Sequence, residues 1–405
     1  MNTLKLVFAF ICRKPLTWGF HVLTLALGVG VVTALILLNT SLENRFNRDL
    51  GGVDLVVGAK GSPLQLILSA LFEIDVPTGN IKLSQAQALA ANGMVRMSAP
   101  VSLGDNVHLV RIVGTTPAYA DLYDAQLARG RWWTKPLEVV LGAEAARTLH
   151  MDIGSRFVGQ HGLSAGGEYH TQFPYVVVGV LRPTGAVIDR LALTDSASVW
   201  RVHEHEAAEE AAEQGLPPPP PQGGEKEVTA LLVKYRSPMG ALMMPRLVKA
   251  IPDLQAAVPA IEVGRLTQLL GTGADLLKGF GIGLLTLSTL GFFIALFSAV
   301  NQRQRELALL RALGARPTLL LTIVTVEGLL LGALGGLIGV GLGRLAMITA
   351  VRLSIHGGGP PLTPPAFGPV EAGAFGVALL IALCAALLPG LVAYRINPAQ
   401  ALKGD

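Results

Sequence analysis

Four long apolar runs restrict this chain more than any other feature. Trp18–Leu38 and Phe280–Val300 contain no Asp, Glu, Lys or Arg, and neither does Ala372–Tyr394. Leu319–Leu342 contains one acid, Glu327. Runs of about 20 such residues are read as transmembrane helices, since in hydrocarbon a helix satisfies its own backbone polar groups. The runs predict spans at 17–41, 279–300, 319–345 and 371–394. The first is too long for a signal peptide and ends in Leu38-Asn39-Thr40-Ser41, without a small-x-small cleavage site. It reads as an uncleaved anchor. Residues 42–270 then form one large insert between the first two spans.

Charge separates the same two regions. Only 15% of residues are charged and the mean hydropathy is +0.51, where soluble domains carry roughly a quarter. Residues 42–270 hold 20 Lys/Arg and 23 Asp/Glu, a balance of −3. The remainder holds 32 − 20 = 12 bases and 28 − 23 = 5 acids, a balance of +7. A nucleic-acid binder would gather its bases on one folded face, so nucleic acid is excluded as a partner. Bases near span ends mark the cytoplasmic side. Lys5, Arg13 and Lys14 precede the first span; Arg303, Arg305, Arg311 and Arg316 crowd the short second connection; Arg395 and Lys403 follow the fourth. The N-terminal segment 1–16, the connection 301–318 and the tail 395–405 are therefore predicted to be cytoplasmic, and 42–270 to lie outside. Cys12 and Cys384 both fall outside this insert, so no disulfide supports it.

Within the insert, short β-branched runs bounded by Gly, Pro or Asp predict strands at Asp54–Val57, His108–Val113, Glu138–Leu141, Tyr175–Val180, Arg190–Leu193 and Val228–Tyr235. Ser84–Ala91 and Gly142–Leu149 read as helices between them. The expected fold is four transmembrane helices plus a large mixed α/β (α+β) domain. Helical character continues from the first span through Ser41–Leu50 and leads into the second from Arg265–Lys278, giving two stalks. Residues 203–227 read as an exposed loop, because Pro217–Pro221 is a five-proline run that cannot continue a helix.

Few residues carry chemistry. There is no G-x-x-x-x-G-K-[ST] phosphate loop and no H-E-x-x-H pattern. Enzymatic activity of this chain's own is not expected. Gly328, Gly332 and Gly336 repeat at four residues, as do Gly335, Gly339 and Gly343. That spacing lets helix backbones approach closely in lipid, within a bundle or a dimer. Glu327 has two readings, a proton relay or a hydrogen-bonded structural group; the lack of a partner acid in the spans favours the second. His203 and His205 flank Glu204, and His161 and His170 lie in another Gly-rich loop. Imidazoles and carboxylates suit zinc, but the spacing matches no closed zinc site. Solvated loop histidines are the favoured reading, with no metal and with His203 and His205 as the weak candidates.

Gln302-Arg303-Gln304-Arg305-Glu306-Leu307-Ala308-Leu309-Leu310-Arg311-Ala312-Leu313-Gly314-Ala315 reads as a charged helix turning at Gly314. Leu307, Leu310 and Leu313 share a face that could dock in a partner's groove. This segment resembles the coupling helix of FtsX-like ABC permeases of the MacB and LolCE group. Tyr394-Arg395-Ile396-Asn397-Pro398-Ala399 resembles that group's C-terminal ending, and Glu327-Gly328 matches its third-span acid. Gly114-Thr115-Thr116-Pro117, Leu127-Ala128-Arg129-Gly130-Arg131, Val139-Val140-Leu141-Gly142 and Val178-Gly179-Val180-Leu181 are similar to its periplasmic core domain. The resemblance implies a bacterial inner-membrane permease subunit with a MacB-like periplasmic domain. It further implies a separate LolD/MacB-like ABC ATPase that binds ATP and Mg, and a second permease copy. ATPase coupling would fall to Arg303, Arg305, Glu306, Leu307, Leu310, Arg311, Gly314 and Ala315. Movement would be transmitted to the periplasmic domain, which handles lipoproteins, peptides, drugs or a periplasmic partner. A non-transporting regulator of such a partner, or a component of zinc homeostasis, would use the same helices.

Overall fold

The computed structural model describes residues 7–8, 12, 15–162, 169–213, 226–356 and 366–396. Lys5, Arg13, Lys14, the Pro217–Pro221 run and the tail from Asn397, with Lys403, lie outside the described residues. The chain divides into two units, Asn44–Gln268 and Met1–Glu43 with Leu269–Asp405.

Along the chain, α1 (Pro15–Asp49) is followed by β1 (Leu55–Ala59), α2 (Pro63–Ala70), β2 (Ile81–Lys82), α3 (Leu83–Ala90), β3 (Val95–Val107) and β4 (Val110–Thr115). Next come α4 (Ala118–Leu122), β5 (Leu127–Gly130), β6 (Glu138–Leu141), α5 (Ala143–Leu149), β7 (Arg156–Phe157), β8 (Gln160–His161) and β9 (Tyr175–Leu181). The outer unit closes with β10 (Ala192–Asp195), α6 (Ser196–Glu213), β11 (Glu227–Val228), β12 (Ala230–Tyr235), α7 (Pro238–Lys249) and β13 (Leu254–Ala257). The remainder is α8 (Pro259–Gln302), α9 (Gln304–Ala312), α10 (Pro317–His356) and α11 (Pro369–Tyr394).

In the outer unit one mixed sheet runs β13-β1-β12-β3-β4-β10-β6-β9-β5, with β7 added to β9 and β8 to β3. The pairs β10–β4 and β6–β9 are parallel and the others antiparallel. Successive strand side chains point to opposite faces, and here both faces are buried. Leu55, Val57, Leu231 and Val233 enter one core with Met244 and Val248 of α7. Val56, Ala230 and Leu232 enter the other, with Leu66, Ile67 and Tyr119. Burial on both sides explains why these strands read as continuous apolar runs rather than alternating ones. The 13-residue β3 pairs with β12 through its first half and with β4 through its second, and its register shifts between Leu103 and Asp105. A bulge of this kind bends a strand and re-aims a side chain.

The expected strands are present, Glu138–Leu141 with the same bounds and the others with ends shifted by at most two residues. Six strands were not anticipated, β2, β3, β5, β7, β8 and β13, and the single strand expected at Val228–Tyr235 is divided between β11 and β12. Pro100, Gly104, Asp105 and Asn106 disguise β3, because each is depleted in strands. The expected loop over 203–227 is corrected in its first part, since α6 is helical through Glu213. Its Ala/Glu composition favours helix, and the prolines that suggested a loop begin only beyond it.

Among the described residues of the other unit, four helices are long and apolar enough to cross a membrane: Trp18–Asp49, Leu276–Gln302, Pro317–Leu353 and Pro369–Tyr394. Their shared core includes Leu25 and Val29 of α1, Phe292 and Leu296 of α8, Leu331 of α10 and Ala382 and Ala386 of α11.

Candidate functional site

The short helix α9 sits between two of these spans, and its backbone is broken from each of them. Arg303 interrupts the helical backbone after α8 with φ −107° and ψ 9°. At the far end, Ala315 N–H bonds Leu310 C=O at 3.0 Å and Gly314 N–H bonds Arg311 C=O at 3.0 Å. That pair of bonds is a Schellman cap, which needs a left-handed residue at the Gly314 position. Gly314 supplies it with φ +96°, and Pro317 then starts α10 at a position where its missing N–H is harmless. Gly314 and Ala315 thus terminate the helix.

The leucines of α9 divide differently from the expectation. Leu307 is 3% exposed and packs with Ala308, Val300, Leu320, Val324 and Ala393, with Leu310 half-buried against the same cluster. Leu309 and Leu313, four residues apart, are 52% and 85% exposed. The single leucine face expected from three-residue spacing is therefore corrected. Two of its members hold the helix to the bundle, and the outward apolar face is Leu309 and Leu313, beside exposed Arg305 and Glu306. Leu309 was missed because which leucines turn inward is set by contacts with α8, α10 and α11.

Arg303 also turns inward. Its Nη1 donates to Glu327 Oε1 at 3.0 Å, and its guanidinium carbon lies 5.8 Å from the Trp18 ring centre. Glu327 is buried, and Arg303 gives it a hydrogen-bonded cation rather than a second acid as its partner. A second pair joins Arg344 of α10 to Glu371 at the start of α11, and Glu371 also accepts from Gly368 N–H at 3.0 Å. Sequence reading missed it, because Glu371 lies just outside the apolar run and Arg344 just after one.

The glycines of α10 face two different helices. A Cβ on Gly328 would stand 2.6 Å from Ala386 Cβ, and one on Gly336 2.9 Å from Ala378 Cβ; Gly332 faces Ala382 between them. Gly339 would meet Ala26 O at 2.8 Å and Gly343 would meet Gly30 O at 2.7 Å. One stripe thus admits α11 and the other admits α1, all within one chain.

The outer unit gathers two unusual groups. Glu73 is buried with Arg111 Nη1 at 3.6 Å. Burial pushes its carboxyl up to about 7, against the opposing pull of Arg111 and Arg190. The histidines form the second group. His203 and His205 lie two apart on α6, a spacing that points side chains away from each other. His205 packs edge-on to Phe173 at 5.1 Å, while His203 faces Asp105 of β3 together with His161 and His170. The reading of these as solvated loop histidines is corrected for His203 and His170, which the folded sheet brings to one buried carboxylate. Burial alone would raise Asp105, but His170 and His203 hold it down at about 2. A cleft of about 350 Å³ opens elsewhere in this unit, lined by Leu83, Ala86, Ser98, Thr115, Asp195 and Trp200 among others.

The MacB-like periplasmic core domain family matches residues 19–238, and the FtsX-like permease C-terminal family matches residues 278–398. The chain is similar to the pyoverdine export ATP-binding/permease protein PvdT of Pseudomonas fluorescens (strain Pf0-1), 24% identical over 371 residues, covering 86% of this chain and 52% of that protein. It is also similar to the macrolide export ATP-binding/permease protein MacB of Rhodospirillum rubrum, 25% identical over 357 residues, covering 81% and 49%. The chain spans about half the length of these relatives. Among solved structures it is similar to the periplasmic region of MacB from Actinobacillus actinomycetemcomitans, at 14% identity and TM-score 0.35, over 54% of this chain and 95% of that one.

Proposed function

The chain belongs to the FtsX-like permeases with a MacB-like periplasmic core domain, and on that premise we propose that an ABC ATPase on a separate chain drives it by docking on α9. The observation that carries this reading is the division of α9 into two faces. Its inner face, Leu307, Ala308 and Leu310, packs into the base of the helix bundle. Its outer face offers Leu309 and Leu313 flanked by Arg305 and Glu306. Two exposed leucines at one helical turn are the usual anchors of a helix laid in an apolar groove, and burying one such side chain fully is worth roughly 1.5–3 kcal/mol. Arg311 and the Gly314 cap set where the helix ends, while Arg303 ties its start to Glu327 within the bundle. ATP and Mg bind the partner, and this chain contributes no catalytic group.

In this reading the unit Asn44–Gln268 lies in the periplasm, the α9 connection and both termini lie in the cytoplasm, and the protein resides in a bacterial inner membrane as a pair of permease copies. Nucleotide binding biases a two-state element in the outer unit, with α1 and α8 as the connecting helices. The cargo or partner is handled there; the named relatives are export proteins for pyoverdine and for macrolides. The test is co-purification of the full chain with its ATPase after Leu309→Asp and Leu313→Asp. Both positions are exposed, so folding is retained. The proposal expects at least a tenfold loss of retained ATPase; undiminished retention overturns it.

A further inference from the structure

Four side chains from distant parts of the sequence meet in the outer unit at Asp105. Its Oδ1 lies 3.3 Å from His170 Nε2 and 3.7 Å from both His161 Nδ1 and His203 Nε2. The ligand atoms of Asp105, His161 and His203 all fall within 4.8 Å of one another. Zinc binds nitrogen and oxygen at roughly 2.0–2.1 Å, so two ligands on a tetrahedral ion are about 3.3 Å apart. The two carboxylate–imidazole separations of 3.7 Å need only a few tenths of an ångström of closure, and the two imidazole nitrogens lie within 4.8 Å of each other. From this geometry we infer that Asp105, His161 and His203 form a binding site for a divalent transition-metal ion of the zinc class.

The fold builds this site rather than leaving it to mobile side chains. The bulge between Leu103 and Asp105 re-aims the Asp105 carboxylate, and β8 pairs against β3 with His161 directly opposite Asp105. Asn106 Nδ2 donates to Gly162 C=O at 2.8 Å, and Gly162 N–H bonds Gly104 C=O at 2.9 Å, which pins the turn that carries His161. Gly104 leaves room for the third ligand: a Cβ there would stand 2.6 Å from His203 Nε2. His170 is a positioning residue. Its backbone N–H bonds Gly159 C=O at 3.0 Å, and its ring, nearly wholly buried, stands edge-on to the His161 ring at 6.1 Å with Nε2 3.3 Å from Asp105 Oδ1. Such outer contacts fix ligand orientation and typically carry 10–100-fold in metal affinity.

Donor chemistry selects the ion. One carboxylate and two imidazoles suit a borderline divalent ion such as Zn2+ better than Ca2+ or Mg2+, which prefer oxygen alone. Asp105 is buried, while the His161 and His203 side chains are 54% and 37% exposed. Solvent thus reaches the site from one side, where a water completes the coordination. A bound ion would tie α6 to β3 and β8.

The test uses the untagged full chain in detergent, stripped with a chelator and titrated with Zn2+ by calorimetry. One Zn2+ per chain is expected, together with visible ligand-field absorption when Co2+ replaces it. H161A changes an exposed side chain and leaves the fold intact; it is expected to weaken binding at least tenfold, and H161A/H203A to abolish it. H205A is expected to bind as the wild type does. Absence of saturable binding, or equal binding by H161A/H203A, overturns the assignment.

Discussion

The membrane unit and the outer unit fill their interiors by opposite means. In the outer unit, large β-branched, leucine and aromatic side chains enter both faces of a sheet, as Val56 and its neighbours Leu55 and Val57 do from one strand. In the membrane unit the tightest approaches are between glycine and alanine, as at Gly328 and Ala386, while Leu337 is 65% exposed. Water accounts for the contrast. Leaving it drives apolar side chains inward in the outer unit. In lipid a leucine gains nothing by turning inward, so close backbone packing becomes the main source of cohesion. Each unit also buries an acid beside an arginine, and the two pairs are tied differently. Arg303 holds Glu327 by a direct 3.0 Å hydrogen bond, whereas Arg111 stands 3.6 Å from Glu73.

The contrast breaks hardest at the membrane pair. Arg303→Ala strands Glu327 and should cost about 3–5 kcal/mol, whereas the double change Arg303→Met/Glu327→Leu should recover most of it. Thermal unfolding in detergent reads both. A double variant as damaged as the single one would show that charge pairing is not what the site needs. Next comes leucine truncation. Leu193→Ala in the outer core should cost about 2–5 kcal/mol, while Leu337→Ala, outward in the membrane unit, should stay within about 0.5 kcal/mol. Equal losses at the two positions would erase the distinction between the units.

Glycine replacement sharpens it from the other side. Gly339→Leu forces a side chain against the Ala26 carbonyl and should cost about 1–3 kcal/mol. Gly341 has no heavy atom within 4 Å of its would-be Cβ, so Gly341→Leu should be tolerated. The last effect is a slope. Glu73 ordinarily titrates near 4.5 and in the fold near 7, so the folded state holds its proton longer than the unfolded state. The associated stability is fully present below pH 4.5 and is lost as pH rises through 7, by at most about 1.4 kcal/mol per pH unit. Glu73→Gln should flatten that part of a stability-versus-pH curve; an unchanged curve would assign the slope elsewhere.

Much of the membrane unit is legible from residues alone, because an uncharged run of about 20 has few other folds open to it. Six strands of the outer unit are legible for a similar reason, being buried on both faces and so continuously apolar. β3 is not, since its Pro100, Gly104 and Asp105 each oppose a strand, and tertiary pairing on both edges overrides them. The α9 segment announces itself by charge between two spans, yet which leucines face outward depends on contacts with α10 and α11 that no spacing reveals. The Arg303–Glu327 pair is 24 residues apart and the Asp105–His203 contact is 98 residues apart, so only the folded chain brings either together.

ATP hydrolysis by the partner ATPase, reconstituted with the full chain in lipid nanodiscs, tests the central claim most directly. If α9 is the docking element, Leu309→Asp/Leu313→Asp will bring turnover down to that of the ATPase alone, while Leu337→Asn on the outer face of α10 will leave the stimulation by this chain in place. Full stimulation by the Leu309→Asp/Leu313→Asp chain would contradict the account.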